Sequence, residues 1–144
     1  MRLFRLPGRT TNVPGRCLRT VTKISIKRAY EDPSAEDGYR VLVDGVWPRG
    51  RSRGELAVAE WAREIAPSTK LRQWFGHDPK RWEAFQERYR KELDEPAQRA
   101  RLRQLLEAAG KGPLTLVYGA KDEEHNQAAV LRAVLSQLGE SRHR

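Results

Sequence analysis

The sequence is nearly free of sulfur. Cys17 is the only cysteine and Met1 the only methionine in 144 residues. No intrachain disulfide can form, and the cysteine usage fits a reducing, cytoplasmic home. No run of eighteen apolar residues exists, so no helix is expected to cross a membrane. The chain lacks a Walker loop, a G-x-S-x-G elbow, an H-E-x-x-H helix and a Cys-x-x-Cys pair, and with them the strongest short catalytic and metal signatures. It also lacks internal repeats and low-complexity tracts. Acidic residues are missing from the first 22 positions, which hold Arg2, Arg5, Arg9, Arg16 and Arg19.

That last absence explains most of the net charge. The formal +9 invites a nucleic-acid reading. The opening arginines contribute five of those charges, and Arg142 and Arg144 two more. The body keeps 21 basic against 19 acidic residues. The basicity therefore belongs to the ends. Residues 1–21 read as a basic tail, disordered or lying ahead of a later start at Val13 or Val21. Residues 22–139 read as one domain, and 140–144 as a short tail. With 38% hydrophobic and 33% charged residues, the body is expected to be globular and able to build its own core.

Periodicity gives an α/β fold: a small single domain with about three mostly parallel strands and about five helices around them. Ile24 and Ile26 alternate with Lys23, Ser25 and Lys27 in a half-buried first strand. Val41, Leu42 and Val43 are consecutive, as in a strand covered on both faces. Residues 113–120, "PLTLVYGA", form a third strand of the same kind. The short connection between the first two strands, residues 31–38, fits either a tight crossover or an antiparallel hairpin. Helices are expected over 55–65, with Val58, Trp61, Ala62 and Ile65 inward, and over 69–76, capped by Ser68. Two more are expected over 79–93, opened by Asp78 and Pro79, and over 97–109, closed by Gly110. A last helix runs to Gly139, capped by Asp122.

Parallel strands deliver their carboxyl ends to one edge, where α/β sheets bind ligands. The first strand brings Arg28 and Tyr30 there. The second brings Asp44, Trp47 and Arg49 in "RVLVDGVWPRGRSRG". The third brings Tyr118, Lys121 and Asp122, followed by His125 and Asn126. His77 comes from the helical region between. A carboxylate can hold guanidinium planes in bidentate geometry, and the arginines then face an anion. In this reading Asp44 orients Arg49, while Arg49 and Arg28 hold the anion. Asp44, His77 and His125 are the candidate catalytic groups, because imidazoles move protons near neutral pH. Arg28, Tyr30, Trp47, Arg49, Tyr118, Lys121, Asp122 and Asn126 are the candidate binding groups. Simpler roles compete for each: an ion pair tying down a loop for Asp44, capping for Asp122 and His125, and core packing for Trp61, Trp74 and Trp82. No ligand spacing supports a metal, and no cofactor is implied.

Three blocks, "GYRVLVDGVWPRG", "APSTKLRQWFGHDPKRWEAFQERYRKEL" and "LTLVYGAKDEEHNQAAVL", resemble the YeaO-like family, domain of unknown function 488. The "RAY" at Arg28–Tyr30 is similar to that family's Arg-x-Tyr. The resemblance covers about residues 22–138, with the blocks in order. It implies a small cytoplasmic bacterial α/β protein of uncharacterised activity. It also marks Arg28, Tyr30, Arg40, Asp44, Trp47, Arg49, Arg72, His77, Tyr118, Asp122, His125 and Asn126 as pattern positions, and through this resemblance alone Arg72 joins the candidate binding groups. The chain departs from the pattern after Asp44, where Gly45-Val46 stand in place of the usual Arg-Leu, and at Arg53, where lysine is usual.

Three functions compete. The preferred one is a site for an anionic small molecule, such as a nucleotide, a phosphorylated metabolite or a carboxylate, with turnover left open. The alternatives are nucleic-acid binding through the loop 49–53 and the tails, and a protein-interaction module without catalysis. The sequence leaves the oligomeric state open.

Overall fold

The computed structural model describes residues 23–141. The expected basic tail 1–21 and the closing residues 142–144 lie outside them. The described residues form four strands: β1 (Ile24–Arg28), β2 (Tyr39–Leu42), β3 (Glu60–Trp61) and β4 (Leu114–Tyr118). All neighbours pair in parallel, in the order β1-β4-β2-β3. Five α-helices accompany them: α1 (Arg53–Leu56), α2 (Thr69–Phe75), α3 (Trp82–Leu93), α4 (Pro96–Ala109) and α5 (Gln127–Ser141). The sheet has one strand more than expected, and the fold is the α/β arrangement that the apolar runs indicate. Among the described residues, no helix is long and apolar enough to cross a membrane.

The consecutive apolar residues of β2 and β4 are buried on both faces of the sheet. Val41, Val43, Leu114, Leu116 and Tyr118 enter a large core that also takes side chains of α2, α3, α4 and α5. Leu42 and Val117 point the other way, into a small cluster with Ala29 and Leu56, flanked by Trp47, Val58 and Trp61. A strand buried on both sides needs no polar alternation.

The link from β1 to β2 is the tight crossover. Ser34 and Asp37 form a capping box around a short 3₁₀ turn, Ala35–Asp37. Gly38 then passes Pro113 at φ 67°, so close that a Cβ would stand 2.3 Å from the Pro113 carbonyl oxygen. Asp37 accepts from Lys27 Nζ at 3.1 Å and from Arg40 Nη1 at 2.7 Å. Arg40 is buried and also donates to the Leu56 carbonyl. This acid and its two cations are a buried fastening of the crossover.

The helix expected over 55–65 does not form. Ala57 adopts a left-handed conformation, φ 52°, and ends α1 after one turn. The chain then pairs with the free edge of β2: Ala59 N–H donates to Arg40 O at 2.7 Å, and Ala62 N–H to Leu42 O at 2.9 Å. The 3.6-residue spacing of Val58, Trp61, Ala62 and Ile65 is real, but an open sheet edge offers backbone partners that outweigh it. The last helix also starts later than expected. Asp122 holds a turn by accepting from the N–H groups of Glu124 and His125, both at 2.9 Å. Asn126, not Asp122, caps α5, with its Oδ1 accepting from Ala129 N–H at 3.0 Å.

Candidate functional site

The carboxyl ends of β2 and β4 frame a cleft of about 410 Å³. Its floor is built around Asp44. Gly119 N–H donates to Asp44 Oδ2 at 2.8 Å, and Gln127 Nε2 donates to Oδ1. Gly119 is a glycine for a physical reason: a Cβ there would stand 2.8 Å from Asp44 Oδ2. The Asp44 carbonyl accepts from the Trp61 indole at 2.7 Å. Burial pushes the Asp44 carboxyl up to about 6, against the pull of its two hydrogen bonds and of the Arg72 and His77 charges. The site therefore holds a carboxylate that changes charge close to neutral pH.

Arg72 and His77 approach from α2 and the turn after it. Both line the cleft with Asp44. Arg72 Nη2 reaches Thr69 Oγ1 at only 3.4 Å, and the guanidinium makes no ion pair with a described residue. His77 has φ 59° and follows Gly76, itself left-handed at φ 52°. A left-handed residue other than glycine is uncommon and costs energy, and such residues cluster at functional sites. The walls mix these polar groups with apolar side chains: Trp47, Pro48 and Pro67, then Phe75 and Phe85. Tyr30 and Val46 stand at the rim, 43% and 61% exposed. They are the only exposed large hydrophobic side chains among the described residues.

The rim loop is anchored by its own polar groups. Tyr30 Oη donates to Arg49 O at 2.9 Å, Trp47 Nε1 to Arg51 O at 2.6 Å, and Arg51 Nε to Ala29 O at 2.9 Å. Trp47 meets Trp61 edge-on, with centroids 5.4 Å apart. Arg28 Nε donates to Ala120 O at 3.0 Å, and its guanidinium lies 5.3 Å from the Tyr30 ring.

Residues 23–143 match the family described as the inactive DUF488-N3 subclade. The uncharacterized protein YeaO of Escherichia coli is 43% identical over 115 residues, covering 80% of this chain and 98% of the relative. The uncharacterized protein Rv3073c of Mycobacterium tuberculosis is 38% identical over 115 residues, covering 80% of this chain and 95% of the relative. The chain belongs to the YeaO-like DUF488 family. No solved structure matches it.

In this YeaO-like chain the candidate residues fall into three groups. Tyr30, Asp44, Trp47, Arg72 and His77 line one cleft. Arg28 and Arg49 border it, Arg28 through Ala120 and Tyr30, and Arg49 through the carbonyl that takes the Tyr30 hydroxyl. The others lie outside its lining. Tyr118 is a buried core residue, and Lys121 is exposed. His125 Nδ1 pairs with Asp122 Oδ2 at 2.9 Å, and its ring meets Trp82 edge-on. That turn holds the Asp122 carboxyl down at about 2, chiefly through the His125 and Glu124 N–H groups. Asn126 is buried as the cap of α5.

Asp44 makes no ion pair with Arg49 or Arg53. The cations acting on it are Arg72 and His77. The departure at Gly45 gains a local meaning here. Arg72 Cζ and Nε lie 3.7 Å from where a Gly45 Cβ would stand, so its guanidinium rests over bare backbone. Gln127 is the site residue that sequence reasoning missed. An amide on the first turn of a helix carries no motif, and only the fold brings it across 83 positions to Asp44. Among the described residues, no group of three or more His, Cys, Asp or Glu side chains could hold a metal ion.

Proposed function

We propose that this protein binds a small organic anion in the cleft at the ends of β2 and β4. Arg72 meets the anionic group. Asp44 accepts a hydrogen bond from a donor on the ligand, and His77 closes the polar side. The apolar side chains of the walls and the exposed Tyr30 and Val46 take the rest of the molecule. The convergence of Asp44, Arg72 and His77 in one cleft carries this reading. Ligand pockets are commonly apolar cavities with a few converging polar groups, one of them shifted in pKa.

Binding without turnover is the favoured form of the activity. The matching family is described as inactive, and the two histidines expected to carry protons are not together: only His77 lines the cleft.

A thermal-shift screen of the full chain tests the reading, with nucleotides, phosphorylated sugars and small carboxylates beside an Arg72→Ala variant. A ligand at a hundred times its dissociation constant stabilises by about 2.7 kcal/mol, which raises the midpoint by roughly 10 °C in a domain of this size. At least one class should shift the wild type and lose most of that shift in the variant. A shift that persists in Arg72→Ala moves the binding elsewhere.

A further inference from the structure

Four arginines flank Tyr30 and Trp47, two residues that line the cleft. Arg51 lies 6.0 Å from the Tyr30 ring and Arg53 6.0 Å from the Trp47 ring. Arg28 flanks Tyr30 at 5.3 Å, and Arg49 follows in the same loop. None of these four guanidinium groups forms an ion pair with a described residue. Glu55, in the same segment, feels the Arg51 charge but turns its own oxygen to the Ser52 backbone. Cations grouped without ion-pair partners around the Tyr30 and Trp47 rings suit a ligand carrying more than one negative charge.

The interior asks for something different. Asp44 presents acceptor oxygens, and the rings of Trp47, Pro48, Pro67, Phe75 and Phe85 stand among the polar groups of the walls. A bare phosphate or a simple carboxylate would leave both unused. A flat heterocycle with an N–H edge uses both, and its ring fits against proline and aromatic side chains. We propose that the ligand is a nucleotide, its base in the cleft with an N–H edge on Asp44 and its phosphates across the arginine rim. This rests on the anion-binding reading above and narrows it. The nucleotide has two possible sources, a free molecule or the end of a single strand, and the chemistry is shared.

Isothermal titration of the full chain separates the possibilities. The probes are a set of nucleoside diphosphates, the matching nucleosides, inorganic pyrophosphate and a short single-stranded oligonucleotide. The proteins are wild type, Asp44→Asn and Arg53→Ala. Arg53 is the safest rim variant, because its side chain makes no hydrogen bond to a described residue. One diphosphate should bind at least about tenfold more tightly than both its nucleoside and pyrophosphate, the factor that one charge-assisted contact supplies. Arg53→Ala should weaken the diphosphate severalfold and leave the nucleoside unchanged. Asp44→Asn should weaken both. Tight binding of the oligonucleotide alone, with the same two dependences, upholds the nucleotide and assigns it to a strand. Pyrophosphate binding as tightly as every diphosphate overturns the nucleotide while leaving an anion site. Silence from every probe, joined to a small-carboxylate shift in the thermal screen, also overturns the nucleotide alone. Silence in both experiments removes the anion site as well.

Discussion

At the scale of single residues, Asp44 is where stability and the proposed function oppose each other. Its carboxyl is raised from 3.8 to about 6 by burial. A raised acid binds its proton more tightly folded than unfolded. The stability from that proton is fully present below pH 4 and is lost as pH rises through about 6. At neutral pH the ionised group is therefore a burden of about 2–3 kcal/mol at most, since a tenfold change in proton affinity is worth about 1.4 kcal/mol. Asp44→Asn keeps an acceptor for the Gly119 N–H and carries no charge. It should raise the melting temperature at pH 7.5, with the gain disappearing near pH 4, while ligand binding falls. Thermal melts across that pH range, beside a binding titration, check both. Gly119→Ala should move the carboxylate, because the new Cβ would stand 2.8 Å from Oδ2. It should cost binding more than folding, which titration beside denaturant unfolding would separate. Asp44 was legible as candidate chemistry because it follows a buried strand, and His77 because an imidazole can move protons near neutral pH, while Arg72 entered through the family resemblance. Sequence reasoning paired Asp44 with Arg49, a neighbour in sequence, whereas the fold brings in Arg72 from a separate helix. Side-chain partners across a sheet edge are set by packing, and no local pattern encodes them.

At the scale of elements, the strands were legible and the edges were not. β2 and β4 announce themselves by consecutive apolar residues, which only a doubly covered strand tolerates. β3 is two residues long, and its side chains keep helical spacing. What makes it a strand is the vacant edge of β2, a feature of the assembled sheet. The crossover from β1 was ambiguous for a similar reason, since Gly38 and Asp37 act through Pro113 and Arg40. Gly38→Ala combines a left-handed φ with a 2.3 Å clash against backbone. It should cost on the order of 3 kcal/mol, read as a lower midpoint in urea unfolding. Asn126→Ala removes the cap of α5 from a buried position. A loss of about 1–2 kcal/mol is expected in the same assay.

At the scale of the whole molecule, charge misleads until it is located. The +9 suggests a nucleic-acid binder, yet the opening and closing residues carry most of it. What remains on the body is arranged locally. Asp37 takes up Lys27 and Arg40 inside the crossover, while the arginines of the rim loop form no ion pair with a described residue. The all-parallel sheet makes this possible by bringing the ends of β1, β2 and β4 to one edge. The chain offers four natural reporters, since all four tryptophans are described. Trp47 lines the cleft and Trp61 donates to the Asp44 carbonyl. Trp74 sits apart, with Arg88 over its ring at 4.0 Å. The most direct measurement is the set of indole N–H resonances in a nitrogen-15 correlation spectrum, titrated with a nucleoside diphosphate and with pyrophosphate. The account predicts that a bound ligand moves the Trp47 and Trp61 signals and leaves Trp74 in place. Movement of Trp74 with Trp47 and Trp61 unchanged would contradict it.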